Sequence, residues 1–255
     1  MAGHNKWSKI KRKKGAADAK RSKVWARIAR DIMIAAREGG GSPDMNARLA
    51  LAIDKAKAEN MPKDNIERAI KRGTGEIEGA DYEEVTYEGY APGGVAVFVE
   101  TLTDNTNRTV ADLRSLFSKA GGNLGTSGSV AFLFDQKAVF EIPASGPSED
   151  DLFLLVADAG AEDLRLDDDG PDGEAAFVVE APVEAFGAVQ AALTEAGVEP
   201  TEAGLQRIPT TTNALPPEDA AKVLRLLDAL DDHPDVQAVF STLEVTDEAL
   251  EALSD

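Results

Sequence analysis

Apolar residues recur at Val24, Ile28 and Ile32 and continue into Ala35 and Ala36, the i, i+4, i+8 spacing of one helical stripe. The pattern predicts a helix from about Asp18, ended by Gly39-Gly40-Gly41, with Ser42-Pro43 as the turn. A second helix is expected near Asn46–Glu59, with Leu49, Ile53 and Ala56 on one side. Pro62 then stands at the first turn of a third, which directs Ile66, Ala69 and Ile70 inward and closes at Gly73. On this helix Asp64 and Arg68, and Glu67 and Lys71, have the i, i+4 spacing of ion pairs. Trp25 reads as a structural residue of the small helical domain.

From Tyr82 the period changes from helical to alternating. Val85–Tyr90 is expected as a strand, Ala91-Pro-Gly-Gly94 as a turn and Val95–Leu102 as a second strand. Asn107 or Thr109 is expected to cap a helix running to Ala120, with Val110, Leu113 and Phe117 inside. Gly128–Phe134 is expected as a third strand. The next stretch supplies strand Ala138–Ile142, helix Glu149–Ala159, strand Asp163–Leu166, strand Ala175–Glu180, helix Val183–Ala196 and strand Leu205–Ile208. That order is β-α-β-β-α-β, the ferredoxin-like arrangement. Thr210–Ala214 is then extended, Pro217–Leu230 helical and Val236–Leu243 a strand, pieces that would complete the sheet begun at Tyr82.

The expected fold class is therefore α+β: a small N-terminal helical domain followed by two α/β (ferredoxin-like) domains, one inserted in the other. The divisions are a basic flexible arm over 1–19, a three-helix basic domain over 20–80, an α/β domain over 81–136 plus 209–246, and an inserted acidic domain over 137–208.

Charge changes what this architecture means. The 255 residues carry a net charge of −19, which as an average argues against an anionic partner. Residues 1–72, however, hold 19 of the 27 Lys and Arg and 8 of the 46 Asp and Glu, a net of +11, so residues 73–255 carry −30. Residues 1–30 have 11 basic residues and a single acid, Asp18. Such asymmetry suggests an anionic partner for the basic end. With Trp7 and Ile10 as its only large apolar residues, Met1–Ala19 cannot bury enough surface to offset its ordering entropy, so a mobile arm is expected. A mitochondrial presequence, a solvated tail and an arm docked on its own acidic domains are the competing readings; a secretory signal lacks its apolar stretch.

The sharper reading is nucleic-acid binding by Lys6, Trp7, Lys9, Lys11, Arg12, Lys13, Lys14, Lys20, Arg21, Lys23, Arg27 and Arg30, with Arg68, Lys71 and Arg72 beside them. Lysine predominates at the tip and acts as a point charge, so phosphates and shape would be recognised with little base reading. Trp7 among lysines is placed to stack on an exposed base. The rival class is an interaction module whose acidic body binds a basic protein while the arm folds back.

Catalytic and metal chemistry finds no support in the sequence. The absence of cysteine removes thiolate ligands and nucleophiles and suits a reducing cytoplasm. His4 and His233 have no i, i+4 histidine partner. Asp167–Glu174 resembles a calcium loop but has Pro171 at a ligand position and strands on either side, so a hairpin tip is expected. Gly121–Gly128 follows a helix and precedes a strand, the reverse of a phosphate loop, and reads as a helix C-cap. Ser127 is not in a G-x-S-x-G elbow. Asp104–Arg108 is a dense polar cluster best explained by helix capping. A non-enzymatic protein without cofactor, metal, membrane or small-molecule partner is expected.

Several longer motifs point to one family. Met1-Ala-Gly-His-Asn-Lys-Trp-Ser-Lys-Ile-Lys11 and Asn60-Met-Pro-Lys-Asp-Asn-Ile-Glu-Arg-Ala-Ile-Lys-Arg72 resemble the YebC/PmpR family, as do Tyr87-Glu-Gly-Tyr-Ala-Pro-Gly-Gly94, Thr103–Arg108 and Pro209-Thr-Thr-Thr-Asn213. The resemblance spans essentially the whole chain. It implies three domains, with one α/β domain inserted in the other, and a start at this Met-Ala-Gly-His. It also implies a cytoplasmic regulator of one of two kinds: a DNA-binding transcriptional regulator, or a ribosome-associated factor that relieves stalling at proline runs. Relatives that act on the ribosome include the mitochondrial translational activator of cytochrome c oxidase, and the relief of stalling is linked to some bacterial members. The expected partners are DNA and/or RNA, the ribosome among them, for a monomeric chain. The strongly acidic 149–202 stretch is the least typical part, so no contact there is carried over.

Overall fold

The computed structural model describes residues 17–78, 81–168 and 174–254. Three helices open it: α1 (Ala17–Gly39), α2 (Ala47–Ala58) and α3 (Lys63–Gly73). Ile28, Ile32, Ala35 and Ala36 of α1 meet Leu49 and Ala56 of α2 and Ile66 and Ala69 of α3 in one small core. Gly73 allows α3 to end tight against α1: a Cβ there would lie 2.3 Å from the Met33 carbonyl oxygen. Asn46 fixes the turn into α2. Its Oδ1 accepts the Leu49 N–H at 3.1 Å, and its Nδ2 donates to the carbonyls of Ala35 and Gly40. Trp25 packs against this core and donates from Nε1 to the Glu59 carbonyl, which gives it a structural place.

A four-stranded antiparallel sheet follows, in the order β3-β1-β2-β8. Its strands are β1 (Glu83–Tyr90), β2 (Ala96–Thr103), β3 (Asn123–Leu124) and β8 (Val236–Ser241). Helices α4 (Thr106–Lys119) and α7 (Pro217–Asp231) bury Leu113, Phe117, Val223, Leu224 and Leu227 against Val97, Val99 and Val239 on one face.

Between β3 and β8 the chain builds a second sheet of β4 (Phe134–Pro143), β5 (Asp163–Asp167), β6 (Ala176–Pro182) and β7 (Glu202–Pro209). All its pairings are antiparallel, in the order β5-β6-β4-β7. This is the ferredoxin-like order, with the first and third strands central. Helices α5 (Glu149–Asp158) and α6 (Phe186–Glu195) cover one face through Leu152, Val156, Val189 and Leu193. The two sheets meet where Ala96, Phe98 and Phe240 pack on Val130 and Phe134. There the Arg207 guanidinium lies 4.1 Å above the Phe98 ring, and its Nε reaches Glu100 Oε1 at 2.8 Å.

The structure differs from the sequence expectation at several points. Gly128–Phe134 is not a strand: β3 is the short Asn123–Leu124 pair, and Ala131–Leu133 is a 3-10 turn. The cause is Glu88, a buried side chain of β1. Its carboxylate accepts the N–H groups of Gly128 (2.7 Å), Val130 (2.6 Å) and Ala131 (2.8 Å), donors that a ladder would otherwise use. Gly128 also sits at φ +83, outside strand geometry.

Helix α4 begins at Thr106, so the expected caps Asn107 and Thr109 both lie inside it. Asn105 caps it instead, its side chain accepting the Arg108 N–H, and Thr109 is buried and bonded to Asp235. The helix before β7 begins with a 3-10 turn over Val183–Ala185. β8 stops at Ser241, and Leu243 makes only an isolated parallel bridge with Asn213. A further helix, α8 (Asp247–Ser254), is absent from the sequence reading and packs Ala249, Leu250 and Leu253 into the first sheet's core. Of the expected hairpin tip, 169–173 lie outside the described residues.

Candidate nucleic-acid interface

Helix α1 is amphipathic twice over. Its apolar stripe serves the helical core, while Lys23, Arg27, Arg30, Ile34 and Arg37 follow one another at helical spacing along a second face. That second face lies against the rest of the chain. Lys23 Nζ is 3.6 Å from Asp232 Oδ1, and Arg27 Nη1 is 3.1 Å from Asp231 Oδ1. Arg27 and Arg30 also donate to the backbone carbonyls of Asp231 and Pro234. The Arg30 guanidinium sits 5.6 Å from the Tyr82 ring centroid, and Arg37 donates to the Tyr82 carbonyl at 2.7 Å. Ile34 is buried, although it is not part of the helical core.

The expected binding residues therefore divide. Lys23, Arg27 and Arg30 are brought together at the end of α7, each with an anionic or carbonyl partner. Arg68, Lys71 and Arg72 are brought together elsewhere, at the C-terminal end of α3, and all three are exposed. They share one face at i, i+3 and i+4, where the negative end of the helix dipole favours cations. Among the described residues no carboxylate lies within ion-pair distance of these three. The pairings expected from Asp64 and Glu67 do not form; Glu67 pairs backwards with Lys63 at 3.6 Å. Lys20 and Arg21 fall on the first turns of α1. Lys6, Trp7, Lys9, Lys11, Arg12, Lys13 and Lys14 lie outside the described residues.

The anionic partner of α1 is a built element. Asp231, Asp232 and the buried Asp235 stand at and just beyond the end of α7, whose last turn carries no basic residue. Asp235 Oδ2 accepts from Arg108 Nη2 and from Thr109 Oγ1, each at 2.8 Å, and from Thr103 Oγ1 at 3.3 Å. Burial alone would raise its pKa, but the Arg108 and Thr109 donors, with the nearby His233, hold the carboxyl below the ordinary aspartate range. His233 itself lies 3.3 Å from Asp112 Oδ2, and its Nδ1 accepts the Asp235 N–H. The polar run Asp104–Arg108 thus caps α4 and anchors this turn.

Sequence reasoning missed the cation-holding role of the turn. A signal was available: acids at a helix C-terminus oppose the dipole and call for cations opposite them. The Gly121–Gly128 loop takes the helix-terminating role expected of it. The Gly122 and Gly121 N–H groups donate to the carbonyls of Phe117 and Ser118, and Gly121 has φ +80, the geometry of a Schellman cap. Among the described residues no group of three or more His, Asp or Glu could hold a metal ion, and no helix is long and apolar enough to cross a membrane.

Comparison with known proteins agrees with this architecture. Residues 5–76 match the model of the TACO1/YebC protein N-terminal domain, and residues 82–243 match that of the TACO1/YebC second and third domain. The chain is 51% identical to a probable transcriptional regulatory protein of Chlorobaculum tepidum over 255 residues, 100% of both chains. It is 52% identical to a protein of the same description from Rubrobacter xylanophilus, covering 98% of each. The crystal structure of a conserved hypothetical protein from Aquifex aeolicus superposes with a TM-score of 0.84 at 44% identity, covering 96% of this chain and 99% of that one. On its sequence matches and its α+β fold, the chain belongs to the TACO1/YebC family.

Proposed function

We propose that the chain is a non-enzymatic cytoplasmic regulator that acts by binding nucleic acid, with promoter DNA as its target. The observation that carries this reading is the separation of charge. The first 72 residues have a net charge of +11 in a chain of −19, and Arg68, Lys71 and Arg72 form an exposed cluster without ion-pair partners among the described residues. A phosphate backbone is the partner such a surface neutralises best. The relatives' description as probable transcriptional regulatory proteins supports DNA as the target. In the same reading the chain works as a monomer of four pieces: arm 1–19, helical domain 20–80, α/β domain 81–136 plus 209–246, and insert 137–208.

A second reading, a ribosome-associated factor that relieves stalling, is favoured by one feature. The basic segment is rich in lysine and presents no helix with Arg, Asn and Gln at base-reading spacing, which suits recognition by shape and charge. Crosslinking in cells, followed by sequencing of bound DNA and RNA beside a ribosome co-sedimentation lane, decides between them. Enrichment of promoter DNA is the expected result. Ribosomal RNA without promoter DNA would replace it with the second reading, and recovery of neither would overturn both.

A further inference from the structure

The cations of α1 that face the α7 terminus are of the same kind as those assigned to phosphate binding, and they already hold an anion. At this terminus the negative end of the α7 dipole, the carboxylates of Asp231 and Asp232, and the carbonyls of Asp231 and Pro234 converge on Lys23, Arg27 and Arg30. The turn is held from behind by Asp235 with Arg108, Thr103 and Thr109, so it presents these groups as a rigid surface.

We propose that the Asp231–Asp235 turn is an internal stand-in for a phosphate backbone: a latch that keeps the N-terminal helical unit against the first sheet until an external polyanion takes its cations. This rests on the nucleic-acid reading above and states how that activity is regulated.

The distribution of contacts along α1 supports a latch rather than a permanent joint. Near the chain connection, Arg37 binds Asp81 and the Tyr82 carbonyl, Arg48 binds Glu84, and Ile34 is buried. This end is a pivot. Lys23 stands about 21 Å from Arg37 along the helix axis, at 1.5 Å per residue. The described contacts of Lys23 and Arg27 with the turn are polar, and those of Arg30 are a carbonyl bond and a ring contact. Lys23 and Asp232 each keep 56% of their side-chain surface exposed. That pair is weak and salt-sensitive. Arg27 and Asp231 keep only 23% and 22% of their side-chain surface exposed and are the firmer hold, so a dense polyanion competes first for the Lys23 end. Asp231 and Asp232 are also disfavoured at a helix C-terminus in the absence of cations, so their neutralisation does not harm α7 itself.

The test is equilibrium binding of a random-sequence 20-bp DNA duplex to the full chain and to a D231N/D232N variant. A control variant, E248Q/E251Q, makes the same change in net charge on α8. D231N/D232N is expected to bind about tenfold more tightly than wild type at low salt, and the control less than half as strongly improved. Nitroxides at Ala58→Cys and Glu218→Cys, in a chain without native cysteine, report the domain separation in parallel. The distance distribution should shift when duplex is added to the otherwise wild-type chain, and should already be shifted in D231N/D232N without duplex. Equal gains in the two charge variants, or a distance unmoved by saturating duplex, would overturn the latch while leaving nucleic-acid binding intact. Failure of every form to bind duplex or ribosomal RNA would instead overturn the functional reading and, with it, the latch.

Discussion

Replacing Glu88 by alanine should cost about 3–5 kcal/mol of stability, read as a lowered unfolding midpoint of the first sheet. Glu88 is 3% exposed, and its carboxylate is the acceptor for the N–H groups of Gly128, Val130 and Ala131. Each buried donor left without an acceptor costs roughly 1–3 kcal/mol, and the three donors share one site, so their penalties overlap. The same loop leads into β4 and places Val130 and Phe134 between the two sheets, so its release should loosen the joint as well.

Glu88→Gln keeps the shape and separates charge from volume. It loses the ionised acceptor, and one amide nitrogen then faces backbone donors. A loss of about 2–4 kcal/mol is expected.

The pH dependence follows from the direction of the pKa shift. Burial pushes the Glu88 carboxyl up, but the three N–H donors outweigh it and hold the group below the ordinary glutamate range. A carboxyl lowered in the folded state stabilises fully above its unfolded pKa. That stability fades as pH falls through the folded pKa. Wild type should therefore lose stability on acidification faster than Glu88→Gln does. Parallel acid-unfolding curves for the two proteins would contradict this role for the Glu88 carboxylate.

The second large effect concerns the basic segment ahead of α1. Deleting residues 2–14 removes Lys6, Lys9, Lys11, Arg12, Lys13 and Lys14 together with Trp7. Each phosphate that is no longer neutralised should reduce the slope of log affinity against log salt by about 0.9 for duplex DNA. Six such phosphates, one for each cation removed, make the slope shallower by about 5, with affinity reduced at least ~10²-fold near 50 mM salt. Restoring the charge with a scrambled lysine-rich segment of equal length should recover most of this, because lysine acts here as a point charge. An intact chain and a deleted chain with equal affinity and equal slope would remove the segment from the interface.

Much of the fold was legible because its signals are local. The Val24, Ile28, Ile32 stripe and the Pro62 boundary report helices whose cores lie within the same N-terminal segment. The β-α-β-β-α-β order is written in alternating periods, and the pairing β5-β6-β4-β7 follows from it. What escaped depends on distant partners. Gly128–Phe134 has strand-like composition, but its donors are taken by a glutamate 40 residues earlier. Thr109 looks like a cap residue and is instead buried against Asp235, 126 residues away. Helix α8 is one short amphipathic turn pair that is stable only against α7 and the first sheet's core.

The candidate interface shows the same division. That the N-terminal 72 residues are basic is plain from counting. That Lys23, Arg27 and Arg30 face an acidic helix end, while Arg68, Lys71 and Arg72 face solvent, requires the tertiary structure.

The central claim is that the N-terminal part of this chain binds phosphate backbones by charge. Its most direct test is the affinity of the intact chain for a random-sequence duplex between about 50 and 200 mM salt. With about 6–10 phosphates neutralised, the log–log slope should lie between about −5 and −9, and affinity should fall by about 10³–10⁵ across that range. A slope near zero would contradict the claim.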